Sequence, residues 1–132
     1  MRREDLILKD ECFRIVGVLF EVYKKYGGTL LEKHYQKAIA EALKIAGLKF
    51  SEQVLINLFF GDKVIGKFYA DFLIEINGQK IILEIKKNEN FGTKNIHQLH
   101  SYLKALNLQL GILANFTTSG VKFKRIVNLS QT

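Results

Sequence analysis

Residues 63–86 read KVIGKFYADFLIEINGQKIILEIK, two β-branched and aromatic runs parted by Asn77-Gly78. Asn-Gly between such runs is the sequence of a two-residue type I′ turn, whose twist matches that of the strands it joins. A turn of that length sets the register. Ile76 pairs with Gln79, and counting away from the turn brings Asp71 opposite Glu84 and Tyr69 opposite Lys86. Side chains opposed on one face have Cβ atoms about 4.5–5.5 Å apart, and like charges there are destabilising unless something compensates them. Alternation puts Glu84 and Lys86 on one face and turns Ile81, Leu83 and Ile85 to the other, toward a core. Asp71, Glu84 and Lys86 therefore converge.

The strand chemistry continues upstream. VLINLFF (54–60) ends at Gly61-Asp62, a second turn pair, so the segment from Phe50 to KIILEIKK (80–87) reads as a three-strand meander. Before it, Leu8, Cys12, Ile15, Leu19 and Val22 recur at three- and four-residue steps, which predicts an amphipathic helix over 4–25 that stops at Gly27 and Gly28. Leu31, Tyr35, Ala38, Ala42 and Ile45 repeat the period as far as Gly47, predicting a second helix over 30–46. After the meander, Thr93 is the expected N-cap of a helix over 93–106, with Ile96, Leu99, Leu103 and Leu106 on one face. QLGILANF (109–116) and VKFKRIVNL (121–129) read as two further strands, giving the order ααβββαββ without repeats or linkers.

With 132 residues, 48% of them hydrophobic and 25% charged, the chain has the composition of one globular domain over 1–132. No stretch is apolar enough to span a bilayer, and the charges scattered through the first twenty residues fit no signal peptide, so the chain reads as cytoplasmic with no membrane partner. Cys12, the single cysteine, can form neither an internal disulfide nor a zinc pair and reads as core. Lys and Arg number 20 against 13 Asp and Glu, a net charge of +7. That balance favours a polyanionic partner, nucleic acid above all, over an acidic one.

Two opposed carboxylates suit Mg²⁺, a hard cation commonly held by one or two carboxylates together with water and substrate phosphates. A lysine beside them can hold an attacking water and offset charge developing on phosphate. The competing reading is a solvated cross-strand cluster in which Lys86 screens two surface acids. Glu75 shares the face of Asp71 but lies roughly 13 Å along the strand, too far for a shared ion. Two readings also fit Glu32. It leans toward the apolar side of its helix, as a partnered acid would, and Thr29-x-x-Glu32 is equally a capping box. Gln98 and Tyr102 share a helix face one turn apart. His34, His97 and His100 have no zinc-site spacing, and the glycine pairs form no phosphate-cradling loop.

These segments together resemble the PD-(D/E)XK nuclease superfamily, and within it the small proteins named for a GxxExxY motif. The resemblance runs from about Tyr23 to Leu129. It is carried by YGGTLLEKHYQKAIAEAL around Glu32 and Tyr35, YADFLIEI with Asp71, ILEIKK with Glu84 and Lys86, QLHSYL with Gln98 and Tyr102, and LGILANF. It implies an α/β, restriction-endonuclease-like mixed sheet flanked by helices, and a nuclease that hydrolyses phosphodiester bonds in nucleic acid, DNA favoured. Asp71, Glu84 and Glu32 would hold Mg²⁺ or Mn²⁺, and with Lys86 they would be the catalytic set. Gln98 and Tyr102 look like the Q-x-x-x-Y element of the recombination-exonuclease branch and, with Tyr35, would orient substrate. Thr29 stands where the motif has its first glycine, which strengthens the capping-box reading. The alternative function is a catalytically idle module of the same fold that binds nucleic acid or a protein. A domain this small also fits a second copy or an accessory protein that helps hold substrate.

Overall fold

The structure is a computed structural model that describes residues 3–129. A 3-10 turn over Arg3–Leu6 leads into α1 (Lys9–Tyr26) and α2 (Glu32–Ile45), then β1 (Lys49–Phe60), β2 (Lys63–Ile76), β3 (Gln79–Lys86), α3 (Thr93–Leu106), β4 (Leu110–Thr117) and β5 (Gly120–Val127). The expected order of elements holds. The expected first helix, over 4–25, instead breaks at Leu8, which takes φ 50° ahead of Lys9. The guanidinium of Arg125 donates to the carbonyl oxygens of Asp5 and Ile7. Those carbonyls are thereby committed to β5 rather than to a continuing helix.

The sheet runs β1-β2-β3-β4-β5. Its hairpins are antiparallel, and α3 carries the chain from β3 to a parallel β4, so the sheet is mixed as expected. One core lies beneath α1 and α2, where Ile15, Leu19, Ile39 and Leu43 meet Ile74, Ile81, Leu83 and Ile85. The other lies beneath α3, where Leu99, Tyr102 and Leu103 meet Ile56, Ala70, Ile82 and Leu113. Cys12 is buried in the first, as expected.

The two cores reveal a slip in strand alternation. Ala70 packs with the α3 side and Phe72, two residues on, with the α1–α2 side. The same exchange occurs between Phe50 and Ile56 on β1. Between them Gln53 has φ 48°, and pairing of β1 with β2 passes from Glu52↔Phe72 to Val54↔Ala70. The hairpin therefore twists over at Gln53 and Asp71, with the acid at the pivot.

The α1–α2 turn is held against the end of β4. Gly27 takes φ 58°, and a Cβ on Gly28 would lie 2.7 Å from the Thr117 carbonyl oxygen, so only glycine fits there. The ring of Tyr35 stacks on Phe116 with centroids 4.2 Å apart, and its hydroxyl donates to the Gly27 carbonyl at 2.5 Å. The same hydroxyl accepts from the Leu30 N–H at 3.3 Å. Neither the Thr93 cap expected from the sequence nor the Thr29 capping box it left open forms. Leu31 and Gly92 occupy the N-cap positions without side-chain bonds, and Thr29 donates back to Tyr26 at 2.7 Å.

Candidate active site

Pairing of β2 with β3 follows the register read from the Asn77-Gly78 turn as far as Phe72↔Leu83 and ends there. On its other edge β3 stays paired with β4 to its end, through Glu84↔Leu113 and Lys86↔Asn115. The expected backbone pairs Asp71–Glu84 and Tyr69–Lys86 do not form, because β2 pivots away from β3 at Asp71. Side chains replace the missing backbone bonds. The Asp71 N–H donates to Glu84 Oε1 at 2.9 Å, and the Ile85 N–H donates to Asp71 Oδ2 at 2.8 Å. The acids are thus locked together by the backbone of the strands that diverge at them. Tyr69 is left outside, 60% exposed.

Glu84 is only 7% exposed, so the cluster is no solvated surface patch. Burial, and then the charge of Asp71, push its pKa up to about 8 against the opposing pull of the Asp71 N–H and Lys86. Burial also raises Asp71, opposed by the Ile85 N–H, by Lys86 and by Gln53, with Glu32 adding to the rise. Tyr102 is buried on the sheet-facing side of α3, tilted against Phe68 with centroids 5.6 Å apart. Burial and the charges of Glu84 and Asp71 push its hydroxyl up to about 12, so it stays a proton donor.

Glu32 does not close a capping box. Its Oε1 accepts from the Lys87 N–H at 3.0 Å, which ties the start of α2 to the end of β3 one residue past Lys86. One turn further along α2, Gln36 donates to Asp71 Oδ1 at 3.2 Å, and Gln53 reaches the same oxygen at 3.5 Å. The sequence reading missed both glutamines. Gln36 follows Glu32 at the four-residue step that shares a helix face, and that spacing could have found it. Tyr35 lies apart from the cluster, wholly enclosed with its hydroxyl spent on the α1–α2 turn. Gln98 is half-buried one turn before Tyr102. Glu75 faces Lys49 at 3.5 Å, away from the acids.

The donor set fits a hard divalent cation: two carboxylates fixed side by side, Glu84 buried and Asp71 half-buried, each with a raised pKa that a positive charge would relieve. Among the described residues no three His, Cys, Asp or Glu side chains converge in a metal-holding group. Asp71 and Glu84 would therefore be the protein ligands, with water and substrate oxygens completing the shell, and Glu32 stands at the border. A groove of about 710 Å³ between α1 and α2 contains none of these residues, being lined by Val18, Val22, Ala42 and Ile45 among others. No helix among the described residues is long and apolar enough to cross a membrane.

The family model of the PD-(D/E)XK nuclease superfamily matches residues 9–126. The crystal structure of SSO0001 is similar with a TM-score of 0.53 at 22% identity, a likeness of fold alone. That match covers 73% of this chain and 49% of the other, so this chain spans about half the length of that protein. No curated protein matches the chain.

Proposed function

The chain belongs to the PD-(D/E)XK nuclease superfamily, and from that premise we propose that it is a metal-dependent nuclease hydrolysing phosphodiester bonds in nucleic acid, with DNA the favoured substrate. The observation that carries this reading is the pairing of half-buried Asp71 with buried Glu84, anchored by backbone N–H groups, with the charge of Lys86 acting on both acids. A pair of like charges in that setting is costly to ionise without a cation.

In this proposal Asp71 and Glu84 hold Mg²⁺ or Mn²⁺. The ion, when bound, acidifies a water and acts as a Lewis acid on phosphate oxygen. Lys86 positions that water in line with the phosphorus and offsets charge gathering on the phosphate. Tyr102, protonated at any physiological pH, donates toward the same space, and Gln98 supports it from the preceding turn. Glu32 acts through the backbone of Lys87 and thereby holds the end of β3. Tyr35 contributes indirectly by fixing the turn from which Glu32 projects. The T-x-x-E-x-x-Y segment is what places the chain with the GxxExxY proteins in this reading.

The test is cleavage of labelled linear and circular DNA and RNA, single- and double-stranded, with Mg²⁺ or Mn²⁺, comparing the wild type with Glu84→Ala and Lys86→Ala. Metal-dependent cleavage reduced by about 100-fold or more in both variants is the expected result. Cleavage unchanged in the variants would assign the activity to another site or a contaminant. Binding without cleavage of any substrate would overturn the reading in favour of the idle module.

A further inference from the structure

On β4, in the segment LGILANF, Asn115 is 1% exposed and neither its Oδ1 nor its Nδ2 has a hydrogen-bond partner. Asn57 and Arg125 each leave a single buried atom unpaired, so among the described residues Asn115 is the one side chain orphaned at both ends. A buried carboxamide without partners is unfavourable, and such a position calls for an explanation. Its place in the sheet supplies one. Asn115 pairs with Lys86 on one side and with Lys122 on the other, so the three side chains stand in one row on the face that carries Glu84. The Lys122 ammonium already donates to the Glu89 carbonyl at 3.4 Å. Lys86 makes no hydrogen bond or ion pair among the described residues, although its charge reaches Asp71 and Glu84. Neighbouring strands are only about 4.8 Å apart, and the four-carbon stem of a lysine sweeps that distance by rotating its last methylenes.

We propose that Asn115 is a positioning residue, whose Oδ1 accepts a hydrogen bond from the Lys86 ammonium and fixes where that charge stands relative to the Asp71–Glu84 pair. A lysine tethered only by its stem samples many rotamers, whereas one donating to a buried amide is confined to the row beside the acids. The role rests on the nuclease reading only for its consequence in catalysis; the pairing itself is a property of the folded protein.

Two measurements keep the two separate. In ¹⁵N–¹H correlation spectra of the lysine ammonium groups, the wild type should show a slowly exchanging Lys86 signal that disappears in Asn115→Leu and persists in Asn115→Asp, which keeps an acceptor. Absence of that signal in the folded wild type, or its survival in the leucine variant, would overturn the proposal. Losing one hydrogen bond to a charged group should lower the denaturation midpoint of Asn115→Leu modestly and leave the variant folded. In cleavage assays Asn115→Leu should lower kcat by about 10- to 100-fold with KM unchanged, as displacement of a catalytic group does, and Asn115→Asp should recover part of the loss. Full activity in Asn115→Leu would overturn the positioning role. A wild type that cleaves nothing would sink the nuclease reading, while the ammonium spectra would still decide the pairing.

Discussion

Glu84 is where the fold and the proposed chemistry pull in opposite directions. The residue is 7% exposed, and its pKa is lifted from 4.5 to about 8 by burial and by Asp71. Between those values the folded protein holds a proton that the unfolded chain has released, so this group's contribution to stability is complete below pH 4.5 and is lost as pH rises toward 8. Asp71, also raised, acts in the same direction. The loss runs at roughly 1.4 kcal/mol per pH unit where one proton is at stake. Thermal denaturation of the metal-free protein should therefore show a falling midpoint across that window, and Mg²⁺ should restore most of it at the alkaline end, as any ligand binding only the folded state does. Glu84→Gln keeps an oxygen to accept the Asp71 N–H and removes the charge. It should flatten the pH profile and abolish the Mg²⁺ effect. An equal Mg²⁺ shift in that variant would put the ion elsewhere.

Packing of whole elements explains why Glu32 arrives at β3 at all. The aromatic stack of Tyr35 on Phe116 and the two hydroxyl bonds to Gly27 and Leu30 clamp the α1–α2 turn, and α2 then starts with Glu32 against the Lys87 N–H. Tyr35→Phe keeps the stack and strips both bonds, leaving a backbone donor and acceptor unpaired; it should cost about 1–2 kcal/mol in urea denaturation with an unchanged m value. KM for nucleic acid should hold steady. A raised KM with unaltered stability would instead mean that the hydroxyl reaches substrate. What could be read in advance follows the same division between local and distant. The Asn77-Gly78 turn, the register up to Phe72↔Leu83 and the span of α3 depend on neighbours in the chain, and all three were readable. The divergence at Asp71 depends on how β2 twists with β1 at Gln53, and the partner of Glu32 lies 55 residues away. No local pattern encodes either. Of the two readings open for Glu32, the capping box fails because it is a local preference, and the packed turn gives the Thr29 hydroxyl to Tyr26 instead.

For the molecule as a whole, a net charge of +7 gains meaning from where lysines stand relative to the acids. The rows that contain Glu84 and Lys86 continue across β4 to Lys124 and Lys122 on β5, both exposed at the edge of the sheet. Exposed lysines on an edge strand guard against strand addition, and the same two, in line with the site, are placed to receive a phosphate backbone. Each duplex phosphate that the protein ceases to neutralise lowers the slope of log affinity against log salt by about 0.9. Lys122→Glu with Lys124→Glu should therefore weaken duplex binding several-fold at low salt and flatten the salt dependence by nearly two of those increments, without sequence preference entering. Fluorescence anisotropy over a salt series measures both quantities at once. If the lysines serve only as edge guards, the glutamates will serve as well and the double variant will keep the wild-type salt slope, and a basic face for nucleic acid must then be sought on α2, where Lys33 and Lys37 are likewise exposed.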